Sequence, residues 1–314
     1  MTIDERVLEN VRLAAGCGAG PSMLLSVALA SLGATSIQEA LAGLDRLREE
    51  ILQIERDTPR PHRKLAELEP FLVARPPVAR MRLEIRDHEL RGRLVFRELV
   101  PTKSFMQVAA LSIANVELTE SDGKLLDEIG VAAQLADPRI WPLAVARRIS
   151  ASGGSLAEAV TSGLATLCTP QMTGLPAAGF MRFLDRIQPE VDAGRSVERV
   201  LLDSLEKGER IPGVGRPVIL GVDERVPPML AAAERHGRAN GHSVTLAREL
   251  HRALHEHKGL GVNSAGVFGA IARDLGFTPD AAAAFCLIYF LVPILTHSHA
   301  KASASEGAAI AAAE

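Results

Sequence analysis

The sequence predicts an all-α fold, and three observations carry that expectation. Apolar residues recur at three- and four-residue steps along most of the 314-residue chain, strand-like alternation of β-branched residues is scarce, and aromatics make up only 4%. Helical spacing gathers apolar side chains onto one stripe that can face a core. Alanine and leucine reinforce the choice, because they lose little side-chain freedom in a helix.

Residues 36–52 show the pattern clearly. Ile37, Leu41, Leu44, Leu47 and Ile51 fall on one face with charges between them, and Ser36 is placed to cap the first turn. Breaks follow at Thr58-Pro59-Arg60-Pro61, Arg75-Pro76-Pro77, Ser152-Gly153-Gly154-Ser155, residues 211–217 and Val226-Pro227-Pro228. Proline removes a backbone donor and fixes φ, so each of these reads as a loop or helix end. Residues 301–314 are mostly Ala, Ser and Gly and read as a frayed tail or short helix.

Composition narrows the function classes. A hydrophobic share of 47% and a charged share of 23% describe a globular chain with ample core. A formal net charge of −3 offers no basic footprint, so no nucleic-acid partner is expected. Cys17, Cys168 and Cys286 stand far apart without metal-ligand spacing, which fits a reducing, cytoplasmic setting better than a disulfide framework. Two uncharged runs, residues 13–37 and 281–300, are long enough to cross a bilayer. The first is broken by Gly16, Gly18, Gly20 and Pro21, and the second by Pro293. Both read as core or oligomer helices, with no membrane partner expected.

His251 and His255 share a helix face at four-residue spacing, with His257 beside them. No metalloprotease glutamate follows His251, so a solvated surface is expected and no metal is assigned. The turn at 150–155 lacks the lysine of a phosphate-binding loop. A Ser-His-acid triad is defined by geometry and has no signature in residue order.

Two stretches carry chemistry. The first, IPGVGRPVILGVDERV, holds Gly213, Gly215, Arg216, Asp223 and Arg225; the second, GVNSAGVFGAIARDLGF, holds Asn263-Ser264-Ala265-Gly266 at the head of an apolar helix. Together they resemble the active-site signatures of the citrate synthase and citryl-CoA lyase superfamily. That pattern has a Gly-x-Gly-His turn, a following Asp-x-Arg, and an Asn-Val-Asp-Gly helix start. The resemblance spans roughly residues 85–299, from Arg91-Gly92-Arg93-Leu94 onward, through Ser104-Phe105, residues 119–129 and Leu135-Ala136-Asp137. The reactive side chains are exchanged: Arg216 stands at one His place, Met172 at another, Pro138 at a third, and Ala265 at the place of the catalytic Asp.

The resemblance implies a citrate synthase-like fold and a homodimer. A large helical domain would be formed by residues 85–170 and 268–314, and a smaller cleft-closing one by 171–267, with 1–84 as an N-terminal helical segment. It implies a CoA thioester as substrate and no resident cofactor, with a small-molecule carboxylate or acyl-CoA as partner. In the family an Asp takes a proton from the acyl methyl while His side chains polarise carbonyls. Ala265 exchanges no proton, Met172 offers only a weak acceptor, and Arg216 stays charged. Arg216 and Arg225 are therefore expected to clamp a carboxylate, with Gly213, Gly215 and Asn263 shaping the pocket. His297 is the first suspect for a replacement acid or base. Competing structural roles stand beside these: Arg216 bracing its loop, Asn263 capping a helix, Asp223 pairing with Arg225, and His297 meeting a helix C-terminus. Two functions follow as expectations. One is a divergent enzyme forming or cleaving a C–C bond; the other is a non-catalytic binder that regulates or partners an active paralogue.

Overall fold

The computed structural model describes residues 78–134, 140–167, 172, 174–215 and 223–299, with residues 5, 7–9, 11–12, 47–48, 50, 53 and 57 from the N-terminal part. The chain divides into two compact units, Met1–Pro77 and Val78–Glu314. In the first, every described residue is helical, and Val7, Leu8, Val11 and Leu47 are buried. Most of the helix expected over 36–52 lies outside the described residues, as do Cys17, Cys168, Pro138, Arg216 and the tail from 300 onward.

The second unit opens with a small antiparallel sheet, β1 (Ala79–Arg82), β2 (Asp87–Leu90) and β3 (Arg93–Leu94). Sequence periodicity does not foresee it, because the strands are too short to show alternation. It is built by local devices. Arg91 and Gly92 both take positive φ, 50° and 79°, and Leu90 pairs with Arg93 across them, the geometry of a two-residue hairpin. The buried Asp87 carboxylate then accepts the N–H groups of His88, Phe96 and Arg97 at 2.7, 2.9 and 3.3 Å, fixing the wide turn Val95–Leu99 beneath the sheet.

The rest of the described chain is helical: α1 (Phe105–Ala114), α2 (Glu120–Ala132), α3 (Trp141–Ala151), α4 (Leu156–Ala165), α5 (Gly174–Asp192), α6 (Val197–Glu206), α7 (Val226–Arg235), α8 (His242–Lys258), α9 (Ser264–Asp274) and α10 (Pro279–His299). This is the all-α architecture that the periodicity predicts. Reciprocal capping boxes start three of the helices, Ser104 with Gln107, Thr119 with Asp122, and Ser155 with Glu158. In each, two otherwise orphaned backbone donors are satisfied by side chains three residues apart.

Helix α5 is central, packed against α9 and α10, while α9 also meets α7 and α8. One apolar cluster runs from Leu125 and Ile129 on α2 through Phe180 and Leu184 on α5 to Leu250 on α8, Ile271 on α9 and Phe285 on α10. This core is continuous across the segments that the resemblance assigns to two domains. A second cluster joins Leu143, Ala146, Leu167 and Ile294. Helix α10 is the one described helix long and apolar enough to cross a membrane; 39% of that apolar window is buried inside the protein, against α3, α4 and α5. Cys286, within it, is a buried free thiol.

Candidate functional site: the glycine turn and the start of helix α9

The segment Gly213 to Gly215 lies against the residues that precede α9. Val214 forms an isolated antiparallel bridge with Val262. The Gly215 N–H donates to Gly261 O, and the Asn263 N–H donates to Gly213 O, both at 2.9 Å. Glycine is required here twice over. Gly213 has φ +74°, and a Cβ on it would lie 2.9 Å from Gly266 Cα; a Cβ on Gly266 would lie 2.6 Å from Gly213 O. Two glycines face each other so that the turn can touch the helix start.

Asn263 closes this contact. Its Oδ1 accepts the N–H groups of Ala265 and Gly266 at 3.0 and 3.1 Å, while its Nδ2 donates to Gly215 O at 2.7 Å. The side chain caps α9 and ties the turn to it in one step.

Asp223 is the second hub. Its carboxylate is 1% exposed and receives Arg225 in a bidentate pair at 2.8 and 2.7 Å, with the Arg225 side chain 19% exposed. It also accepts the backbone N–H of Ser264 at 2.9 Å. Burial by itself pushes Asp223 up, but the Arg225 bonds and the Ser264 N–H outweigh it and bring the group down to about 2. Asp223 therefore holds Arg225 to the head of α9, and the sequence-expected pairing of the two is present.

The first N–H groups of α9 are thus all used internally. Ser264 is bonded to Asp223, Ala265 and Gly266 to the Asn263 side chain, and Val267 to the Asn263 carbonyl. A helix N-terminus is an anion site only when those donors are open. Here they are closed by acceptors from the same chain.

Of the residues singled out from sequence, Gly213, Gly215, Asn263 and Arg225 come together in this one knot. Arg216 lies outside the described residues. His297 stands elsewhere, half-buried in the last turn of α10, three residues beyond Ile294 of the second cluster. It makes no hydrogen bond or ion pair among the described residues. Met172, at a family His place, packs against that same cluster. Ala265, at the family Asp place, packs partly buried against the main core. Sequence reasoning missed Ser264, whose backbone joins the two hubs; no residue type signals a backbone donor.

A cavity of about 470 Å³ lies on another side of α9, lined by Val226, Leu230, Val244, His251, Val267 and Ala270 among others. Val267 and Ala270 share a helical face that points away from the Ala265 face. His251 thus borders an apolar space, while His255 and His257 are exposed and His257 pairs with Glu198 at 2.6 Å. No cluster of metal-binding side chains occurs among the described residues.

Comparison with known proteins agrees with this architecture. The sequence profile of the citrate synthase C-terminal domain matches residues 144–303, just over half of the chain. No curated protein matches it. The citryl-CoA lyase of Hydrogenobacter thermophilus has a similar fold, with a TM-score of 0.62 at 22% identity over 73% of this chain and 89% of that one. The ATP citrate lyase of Methanothrix soehngenii, solved with citrate and coenzyme A, gives 0.56 at 19% identity over 87% of this chain and 47% of that one. A citrate synthase from Thermoplasma acidophilum, solved with carboxymethyl coenzyme A and oxaloacetate, gives 0.52 at 13% identity over 94% and 74%. At these identities the structural likeness speaks to fold, and the sequence match supplies the family: the chain belongs to the citrate synthase family.

Proposed function

We propose that the protein binds a small carboxylate or an acyl-CoA in the family cleft and does not enolise it. The observation that carries this reading is Ala265. It occupies the second position of α9, where the family resemblance places the proton-abstracting Asp, and a methyl group takes no proton. Among the described residues, its immediate neighbours supply no substitute. The Asn263 amide is spent on the helix and the turn, and Asp223 is an ion-paired carboxylate held ionised by Arg225. Two structural relatives are solved with such molecules, one with citrate and coenzyme A and one with carboxymethyl coenzyme A and oxaloacetate, which supports ligands of the same chemistry here. A binder of this kind regulates or partners an active paralogue.

The second reading is a divergent enzyme that forms or cleaves a C–C bond, with Arg216 meeting charge and His297 as acid or base. Retention of the glycine turn, Asn263 and the Asp223–Arg225 pair favours it, because these positions match the family pattern while the reactive ones do not. Proton NMR of acetyl-CoA with the protein in D2O separates the two. Line broadening without methyl exchange is expected. Exchange that disappears in Arg216→Ala would restore the enzyme, and the absence of both effects would remove acetyl-CoA from either account.

The assembly we propose is a homodimer in the cytoplasm. Helix α10 exposes Leu287, Leu291, Val292 and Leu295, spaced to lie along one side. Sedimentation showing a monomer at micromolar concentration would contradict it.

A further inference from the structure

The junction of α2 and α7 holds a hydrogen-bonded series that the cleft does not use. Ser121 Oγ lies 2.9 Å from His236 Nδ1, and His236 Nε2 lies 3.0 Å from Glu128 Oε1. The second oxygen of Glu128 accepts from Arg235. A carboxylate held by two cationic or N–H donors is acceptor-only. Glu128 therefore fixes the proton of a neutral His236 on Nε2, which leaves the Nδ1 lone pair facing the Ser121 hydroxyl. Nucleophile, base and orienting acid are in series, each within hydrogen-bond reach.

The backbone around them is arranged for the same charge separation. Ser121 is the second residue of α2, and the N–H groups of Glu120 and Ser121 have no acceptor among the described residues. They stand at the positive end of the helix, where an oxyanion is stabilised. His236 is the C-cap residue of α7, at the negative end of that helix, where an imidazolium is stabilised. Neighbouring carboxylates are neutralised: Glu120 pairs with Lys124 at 2.7 Å, and Asp122 with Arg238 at 2.7 and 2.8 Å. His236 and Arg235 keep Glu128 below the usual carboxylate range. The His236 side chain is 12% exposed, so its ring is held, while Ser121 is open to solvent.

From this geometry we infer that Ser121, His236 and Glu128 form a second, hydrolytic site that cleaves short carboxylic esters. Ser121 Oγ attacks the ester carbonyl carbon and passes its proton to His236 Nδ1. The tetrahedral intermediate expels the alcohol oxygen, which takes that proton, and the acyl group remains on Ser121. Water then gives a proton to Nδ1 and attacks the acyl carbonyl, and Ser121 Oγ leaves with the proton. The net change is ester and water to acid and alcohol. The substrate is small and unhindered, because Ser121 is met from solvent. The inference is independent of the family cleft.

The test uses the full chain with p-nitrophenyl acetate and a fluorophosphonate probe. One phosphonyl adduct is expected, mapped to Ser121, and S121A should lose both the adduct and the esterase rate. H236N should retain Ser121 yet acylate about 100-fold more slowly, with its remaining rate proportional to hydroxide. Circular dichroism checks that H236N is folded; E128Q, at a half-exposed position, takes its place if it is not. Failure of the wild type to form the adduct, or hydrolysis equal in wild type and S121A, overturns the proposal.

Discussion

Two helix N-termini in this protein are used in opposite ways. At the head of α9, every early N–H is matched by an acceptor from the same chain, and the cap residue also grips the glycine turn. At the head of α2, Thr119 and Asp122 satisfy each other, but the Glu120 and Ser121 N–H groups have no acceptor among the described residues and Ser121 faces a histidine. A polar group already spent on the fold has little left for a ligand. The difference teaches that family position and chemical availability are separate properties: the place that the resemblance marks is the more closed of the two.

The comparison breaks most readily at Asp223. Replacing it with Ala strands a largely buried Arg225 and frees the Ser264 N–H. We expect a loss of about 3 kcal/mol in urea unfolding, against less than about 0.5 kcal/mol for Ser121→Ala at its exposed position. Equal effects at the two sites would dissolve the contrast.

The same carboxylate gives a pH signature. Its pKa falls from an ordinary 3.8 to about 2 in the folded protein. A depressed folded value means stability that is present above about pH 4 and lost as pH falls toward 2. The amount is about 2 kcal/mol. The stability gap between wild type and Asp223→Asn should therefore narrow over that window. A gap that does not change from pH 5 to pH 2 would show that the pairing does not hold the acid down.

Gly213→Ala comes next. A side chain at φ +74° that also meets Gly266 should cost about 2 kcal/mol, readable as a lower urea midpoint with an unchanged slope. The mildest test is at Asn263. Asn263→Ala removes the cap and should cost about 1 kcal/mol. Asn263→Asp keeps the acceptor for Ala265 and Gly266 but loses the donor to Gly215 O, so it should recover part of that loss. Identical stabilities for the two variants would mean that the tie to the turn contributes nothing.

Much of the fold was legible because it is locally encoded. The capping boxes at Ser104, Thr119 and Ser155 involve residues three apart, and Asn263 precedes the helix that it caps. The pairing of Asp223 with Arg225, one of the competing structural roles weighed from the sequence, likewise joins residues two apart. The β1–β3 sheet was not legible, since strands of two to four residues leave no periodic trace and depend on Asp87 reaching the turn at Val95–Leu99. Of the residues named from the sequence, Gly213, Gly215, Arg225 and Asn263 lie close together, whereas His297 stands in the last turn of α10.

By itself, the sequence determined the helical class, the helix starts and the absence of a carboxylate at position 265, because propensity, capping and residue identity act within a few positions. Only the tertiary structure decided which polar groups were already occupied. Asp223 reaches Ser264 across 41 positions, and Ser121 meets His236 across 115. Partnerships over such distances come from α7 packing against both α2 and α9, and no local pattern in the chain encodes them.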